Sequence, residues 1–168
     1  MGTVPTNMEM HKMQLKINPV KSVPGGNRYC GPAVVSSILN VDTKTSAFLL
    51  RYRNNRKKIT GTAPDWIKNV FNDCNINMDL IESYGRYGKR FTGTWRKPPT
   101  LNQWLEKMLP TMIETNNVYL LIARNHWQLV QGTNYVCGQT KDIVPLDDPR
   151  VKRRAQVNAV YLLTYVGD

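Results

Sequence analysis

The stretch Val23-Pro24-Gly25-Gly26-Asn27-Arg28-Tyr29-Cys30-Gly31-Pro32-Ala33-Val34-Val35-Ser36-Ser37-Ile38-Leu39 passes from turn residues to an apolar run, with a single cysteine at the junction. Pro24, Gly25 and Gly26 cannot continue a regular element. Pro32 suits the first turn of a helix, where its missing N–H has no bond to lose, and Ala33 to Leu39 carry the helix forward. Cys30 is therefore expected at or next to a helix N-terminus. There the unpaired N–H groups and the helix dipole stabilise a thiolate. A small buried apolar residue is the more usual role of a cysteine; the Gly-Gly-Asn-Arg-Tyr approach and the Gly-Pro exit favour an activated thiol.

Working outward, residues 1–27 read as an extended lead-in. Downstream, residues 45–54 read as a second helix with Phe48, Leu49 and Tyr52 inward, and Pro64 to Cys74 as a third with Trp66, Ile67, Val70 and Phe71 on one face. A basic, Gly-rich connection from Tyr84 to Pro99 follows. Thr100 then caps a fourth helix, with Leu101, Trp104, Leu105 and Met108 at i, i+3, i+4 and i+7. From Asn117 the pattern changes to short β-like runs: Val118 to Ala123, His126 to Val130, Tyr135 to Cys137, Ile143 to Leu146 and Ala159 to Val166. Polar and Gly/Pro-containing gaps separate them, as in antiparallel connections. The expectation is one α+β domain over residues 1–168, its N-terminal helical half packed on one side of a C-terminal antiparallel sheet.

The composition agrees with a single folded domain. The 168 residues are 41% hydrophobic and 21% charged, which excludes a disordered basic tail. A chain of this length buries about two-thirds of the surface it exposes when unfolded, with no need of disulfides or metal. Cys30, Cys74 and Cys137 are an odd count with no C-x-x-C and no histidine at ligand spacing, so neither a disulfide framework, a metal site nor a cofactor is expected. No apolar run approaches the roughly 20 residues of a membrane span. Residues 1–16 lack the apolar core of a signal peptide, so the expected location is the cytoplasm, or delivery without a cleavable signal peptide.

An activated thiol needs a base, and the chain has two histidines. His11 falls in the lead-in. His126 opens a strand directly after the turn residues Arg124-Asn125, which places its imidazole at the sheet's edge with a ring nitrogen free. A third group would fix the tautomer and stabilise the imidazolium. Ile143-Val144-Pro145-Leu146-Asp147-Asp148-Pro149 ends a strand in a carboxylate pair, either member of which could reach a neighbouring histidine or simply begin the turn before Pro149.

The order of cysteine at a helix start, histidine at a strand start and aspartate at the end of a following strand resembles the papain-like fold, and in detail the bacterial C39-like cysteine peptidase group. The resemblance is carried by Tyr29-Cys30-Gly31-Pro32-Ala33, Gly61-Thr62-Ala63-Pro64-Asp65-Trp66-Ile67, Asn125-His126-Trp127-Gln128-Leu129-Val130 and Asp148-Pro149, spread over residues 28–165. It implies a cysteine peptidase or amidohydrolase with Cys30 as nucleophile and His126 as general base and acid. It also implies Asp148 as the orienting group, because family members place the Asp directly before Pro, with Asp147 as the alternative. The family's oxyanion-donating Gln lies upstream of the cysteine, where this chain has Pro24. Asn27, together with the Cys30 backbone N–H, is then the candidate donor. The implied reaction is thiolate attack on a carbonyl, an acyl-enzyme and release by water.

The net charge is 23 − 12 = +11. Basic residues cluster at Arg51 to Lys58, Arg86 to Lys97 and Arg150 to Arg154, which together favour an acidic partner, whether a protein or peptide substrate, a nucleic acid or a membrane face. Nucleic acid is a second candidate partner, since Tyr84, Tyr87, Phe91 and Trp95 interleave with the second run as base-stacking residues would, or as core anchors would. No helix-turn-helix, zinc-finger or RRM motif accompanies them. Two further readings are a catalytically silent papain-like module that binds an acidic protein or nucleic acid, and an effector that modifies a host protein.

Overall fold

Caps and turn residues set the element boundaries in the computed structural model, which describes residues 14–26, 29–84, 95 and 97–167. Helix α1, Cys30–Leu39, ends at Asn40 in the left-handed conformation, which asparagine tolerates better than most side chains. Helix α2, Thr43–Arg53, begins where the Asp42 side chain accepts from the Thr45 N–H at 2.7 Å. Helix α3, Pro64–Asp73, has Pro64 in its first turn. Helix α4, Leu101–Thr115, starts on a reciprocal capping box between Thr100 and Gln103. The strands are β1 Ile76–Ser83, β2 Val118–Ala123, β3 His126–Gln131, β4 Asn134–Cys137, β5 Val144–Pro145 and β6 Val157–Tyr165. They form one antiparallel sheet in the order β1-β6-β2-β3-β4-β5.

The expected α+β class and the five expected strands are present, but the layering differs from the expectation of helices on one side. Helices α1 to α3 cover one face through Val34, Val35, Ile67 and Phe71 against Leu120, Ile122 and Leu129. Helix α4 covers the opposite face, where Leu101, Trp104 and Met112 meet Tyr119, Leu121 and Val160. The physical reason lies in β2: all six of its residues are buried, and a strand that is apolar on both faces needs a layer on each.

Two further expectations are corrected. The sheet is not wholly C-terminal, because β1 precedes α4 and pairs with β6 alone, at the sheet edge. Its polar residues Asn77, Asp79 and Glu82, and a bulge between Leu80 and Glu82, interrupt the alternation by which a strand is read from sequence. In α2, Leu49 packs against the first core as expected, but Phe48 and Tyr52 do not face inward. Phe48 is 54% and Tyr52 78% exposed, stacked on each other, whereas Thr43, Ser46, Ala47 and Leu50 are buried. Small residues win that face because α2 lies close on α1, with Ser46 Oγ donating to the Pro32 carbonyl at 2.8 Å.

The described part of the lead-in, residues 14–26, holds no helix, and its Ile17 and Val20 join the first core. Of the four aromatic residues in the basic connection, Tyr84 is buried in the second core and Trp95 packs against it, as anchors do; Tyr87 and Phe91 lie outside the described residues. No described helix is long and apolar enough to cross a membrane. Replacing Trp104 by Ala should lower stability by about 3–5 kcal/mol in urea unfolding, as expected for a fully buried aromatic. A loss below about 1 kcal/mol would mean that α4 is peripheral.

Candidate active site

The start of α1 has no side-chain cap over its N–H groups. Its N-cap, Tyr29, is extended and supplies no side-chain cap, and Pro32 has no N–H to satisfy. Cys30, partly exposed, therefore sits among the uncapped groups at the positive end of the helix. It lines a cleft of about 580 Å³ whose far wall is residues 60–64 and whose rim includes Asn125 and Trp127.

That wall is held at contact distance by Gly31. A Cβ at Gly31 would come within 2.0 Å of Thr62 Oγ1 and 2.4 Å of Thr62 Cβ, so only glycine fits the approach. Trp127 locks the wall from the sheet side, its indole N–H donating to the Thr62 carbonyl at 3.0 Å. The β2–β3 hairpin closes in two residues, Arg124 and Asn125, both at positive φ. Such a tight turn places His126 at the very end of the hairpin, facing the helix start.

The structure brings Cys30 and His126 together. Burial opposes ionisation of the Cys30 thiol, but the His126 side chain, the Trp127 N–H, the imidazolium charge and the cysteine's own N–H outweigh it and hold the thiol below its ordinary pKa. Burial likewise disfavours the charged imidazole. The neighbouring thiols Cys137 and Cys30 reverse this and push His126 up to about 9. The contacts are loose. Nε2 of His126 is buried without a close hydrogen-bond partner among the described residues, the geometry typical of an unliganded acid–base site.

The remaining expected residues fall elsewhere. Asn27 lies outside the described residues, as does His11. Asp148 follows β5 and spends its carboxylate on Arg150: Oδ1 accepts from the Arg150 backbone N–H and Nε at 2.9 Å, and Oδ2 from Nη2 at 3.0 Å. Those bonds hold its carboxyl below the usual range. Asp147 is exposed. Cys74 has its thiol pushed up, by burial and by the Asp73 charge, away from nucleophilic use.

The side chain next to His126 that the sequence reading missed is Cys137, buried at 1% exposure. Burial raises its pKa, but His126, the Thr140 N–H and the Tyr135 hydroxyl bring it down to about 7. A signal for it was present. Gly132-Thr133 closes the β3–β4 hairpin and sets Gln128 opposite Cys137, which makes His126 its diagonal neighbour on the same face of the pleat. Among the described residues no group of three or more His, Cys, Asp or Glu side chains is placed to hold a metal ion.

Gly31→Ala should cost about 1–3 kcal/mol of stability through overpacking and open the cleft wall. Thermal unfolding together with the alkylation rate of Cys30 checks both effects, and an unchanged protein would show that the Gly31–Thr62 contact does not set the site. No protein-family model matches the chain, and no curated protein matches it in sequence.

Proposed function

We propose that the chain is a papain-like cysteine hydrolase, a peptidase or amidohydrolase, in which Cys30 is the nucleophile and His126 the general acid and base. The observation that carries this reading is a partly exposed thiol at an uncapped helix N-terminus, lining a cleft and lowered in pKa by a histidine from the facing hairpin. That is the arrangement a thiolate–imidazolium pair requires. Substrate enters along the cleft, and Cys30 Sγ attacks its carbonyl carbon. The carbonyl oxygen becomes negative beside the uncapped N–H groups of the helix start. His126 gives its proton to the leaving amine as the C–N bond breaks, leaving a thioester on Cys30. It then takes a proton from the attacking water, and the acid departs as the Cys30 thiolate re-forms.

The positive charge gives this reading a substrate class. Arg124 and Arg154 line a hollow of about 440 Å³ that also contains Asn125, the residue at the rim of the catalytic cleft. A second hollow beside it takes Lys152 and Arg153 from the same basic run, together with the carboxylates Asp147 and Asp148. An acidic peptide crossing from the cleft onto this surface would find cations along its path.

A peptide-like electrophile and a panel of acidic and neutral peptides test the proposal. Modification should fall on Cys30 alone, turnover should vanish in Cys30→Ala and in His126→Ala, and acidic peptides should show a KM that rises with salt. Modification at Cys74 or Cys137 in preference to Cys30, or turnover that survives Cys30→Ala, would refute it. Salt-sensitive binding of an acidic partner that survives Cys30→Ala, without any turnover, would favour the silent binding module.

A further inference from the structure

The geometry points to Cys137 as the positioning residue of this site: a buried thiol standing where a carboxylate was expected, which orients the His126 imidazole and keeps it charged for Cys30. The inference rests on the hydrolase reading above and extends it. It begins with register. Gln128 and Cys137 are directly paired across β3 and β4, so His126, two residues before Gln128, lies diagonally beside Cys137 on one face. Cys30 approaches the same imidazole from the first core, while Cys137 belongs to the second. The histidine thus bridges the two layers between two thiols.

The two thiols differ in access. Cys30 opens on the cleft, whereas Cys137 is 1% exposed and beyond the reach of a substrate. Its surroundings suit an anion. The Thr140 N–H lies within hydrogen-bonding reach of the sulfur, and the Cys137 N–H is tied to Thr140 Oγ1 at 3.1 Å. Tyr135 and Gln128 frame the pocket, the phenol donating to Gln128 Oε1 at 2.7 Å and Gln128 Nε2 donating to the His126 carbonyl at 3.1 Å. The other charged and titratable groups acting here are Cys30 from α1 and Arg150, whose charge is felt at Cys137 and which is itself flanked by Asp148 and Asp142. Asp148 is therefore linked to the site at one remove: it grips Arg150, whose charge Cys137 favours.

In the reaction Cys137 forms no bond to substrate. In its thiolate form it stands beside His126 while the ring passes its proton to the leaving amine and regains one from water. An anion fixed beside the ring favours the imidazolium state and one ring orientation, the part a carboxylate plays in a triad.

Histidine-labelled NMR of the full chain, with His11→Gln assigning the two rings, tests this by following the protonation midpoint of His126. Cys137→Ser should lower the midpoint by about one pH unit or more, while Cys137→Asp, which restores an anion at the same position, should hold it near the wild-type value. Cys30→Ala, which leaves the buried core intact, should retain most of the elevation. In peptide turnover Cys137→Ser should reduce kcat at least about tenfold with KM nearly unchanged, and Cys137→Asp should recover part of it. A midpoint indifferent to Cys137→Ser, or one that collapses to the ordinary value in Cys30→Ala alone, would overturn the assignment. Failure of the hydrolase reading is separable, because it would appear in the wild-type chain as the absence of Cys30-dependent turnover while the His126 midpoint still reports on Cys137.

Discussion

The contact of Gly31 with Thr62 is the constraint on which the site depends. It lets the first turn of α1 press against residues 60–64 with no side chain between them, and Trp127 fastens that segment to the sheet. One element thus carries the cysteine, one the cleft wall and one the histidine, and all meet at a single point. The two cores behind them keep the point fixed. The first seats α1 on the strand that bears His126, and the second packs α4 behind the face that bears Cys137. Close-packed interiors resist displacement, which keeps the strand that bears His126 in place beside both thiols.

The elements nearest the chemistry were the most legible in the sequence. Cys30 announces its helix through the turn residues before it and Pro32 after it, and His126 announces its strand through the two-residue turn it follows. Both are local signals, and both hold in the structure. What escaped was set by partners distant in sequence. Strand β1 owes its existence to pairing with β6, and its own residues are too polar to proclaim it. The inward face of α2 was chosen by how closely α1 approaches, which favoured Ser46 and Ala47 over Phe48 and Tyr52. Helix α4 took the second face because β2 is apolar on both sides, a pattern visible in Val118 to Ala123 but informative only once a sheet is drawn around it.

The third member of the site shows the same division. A carboxylate before a proline is a local motif, and Asp148 serves a local purpose by closing a turn onto Arg150. The neighbour of His126 is decided by strand register, a property of two segments together. A thiol in that position titrates closer to neutrality than a carboxylate, so its charge, and with it the charge on His126, is sensitive to pH over a range in which an aspartate would stay ionised. Arg124 and Arg154 line a hollow that shares Asn125 with the cleft; under the proposed function their charge would attract an acidic substrate from beside Cys30 and His126.

The central claim is that the Cys30 thiol ionises below its ordinary range because a protonated His126 stands beside it. The difference in thiolate absorbance between the wild-type chain and Cys30→Ala, followed against pH, measures it directly. A depressed thiol gains its charge below the ordinary range, and an imidazolium raised to about 9 keeps its proton until pH rises through that value. The account therefore predicts a Cys30 thiolate that forms below the ordinary thiol range, with alkylation following the same curve. A thiolate that appears only above the ordinary thiol pKa of about 8.5 would contradict it.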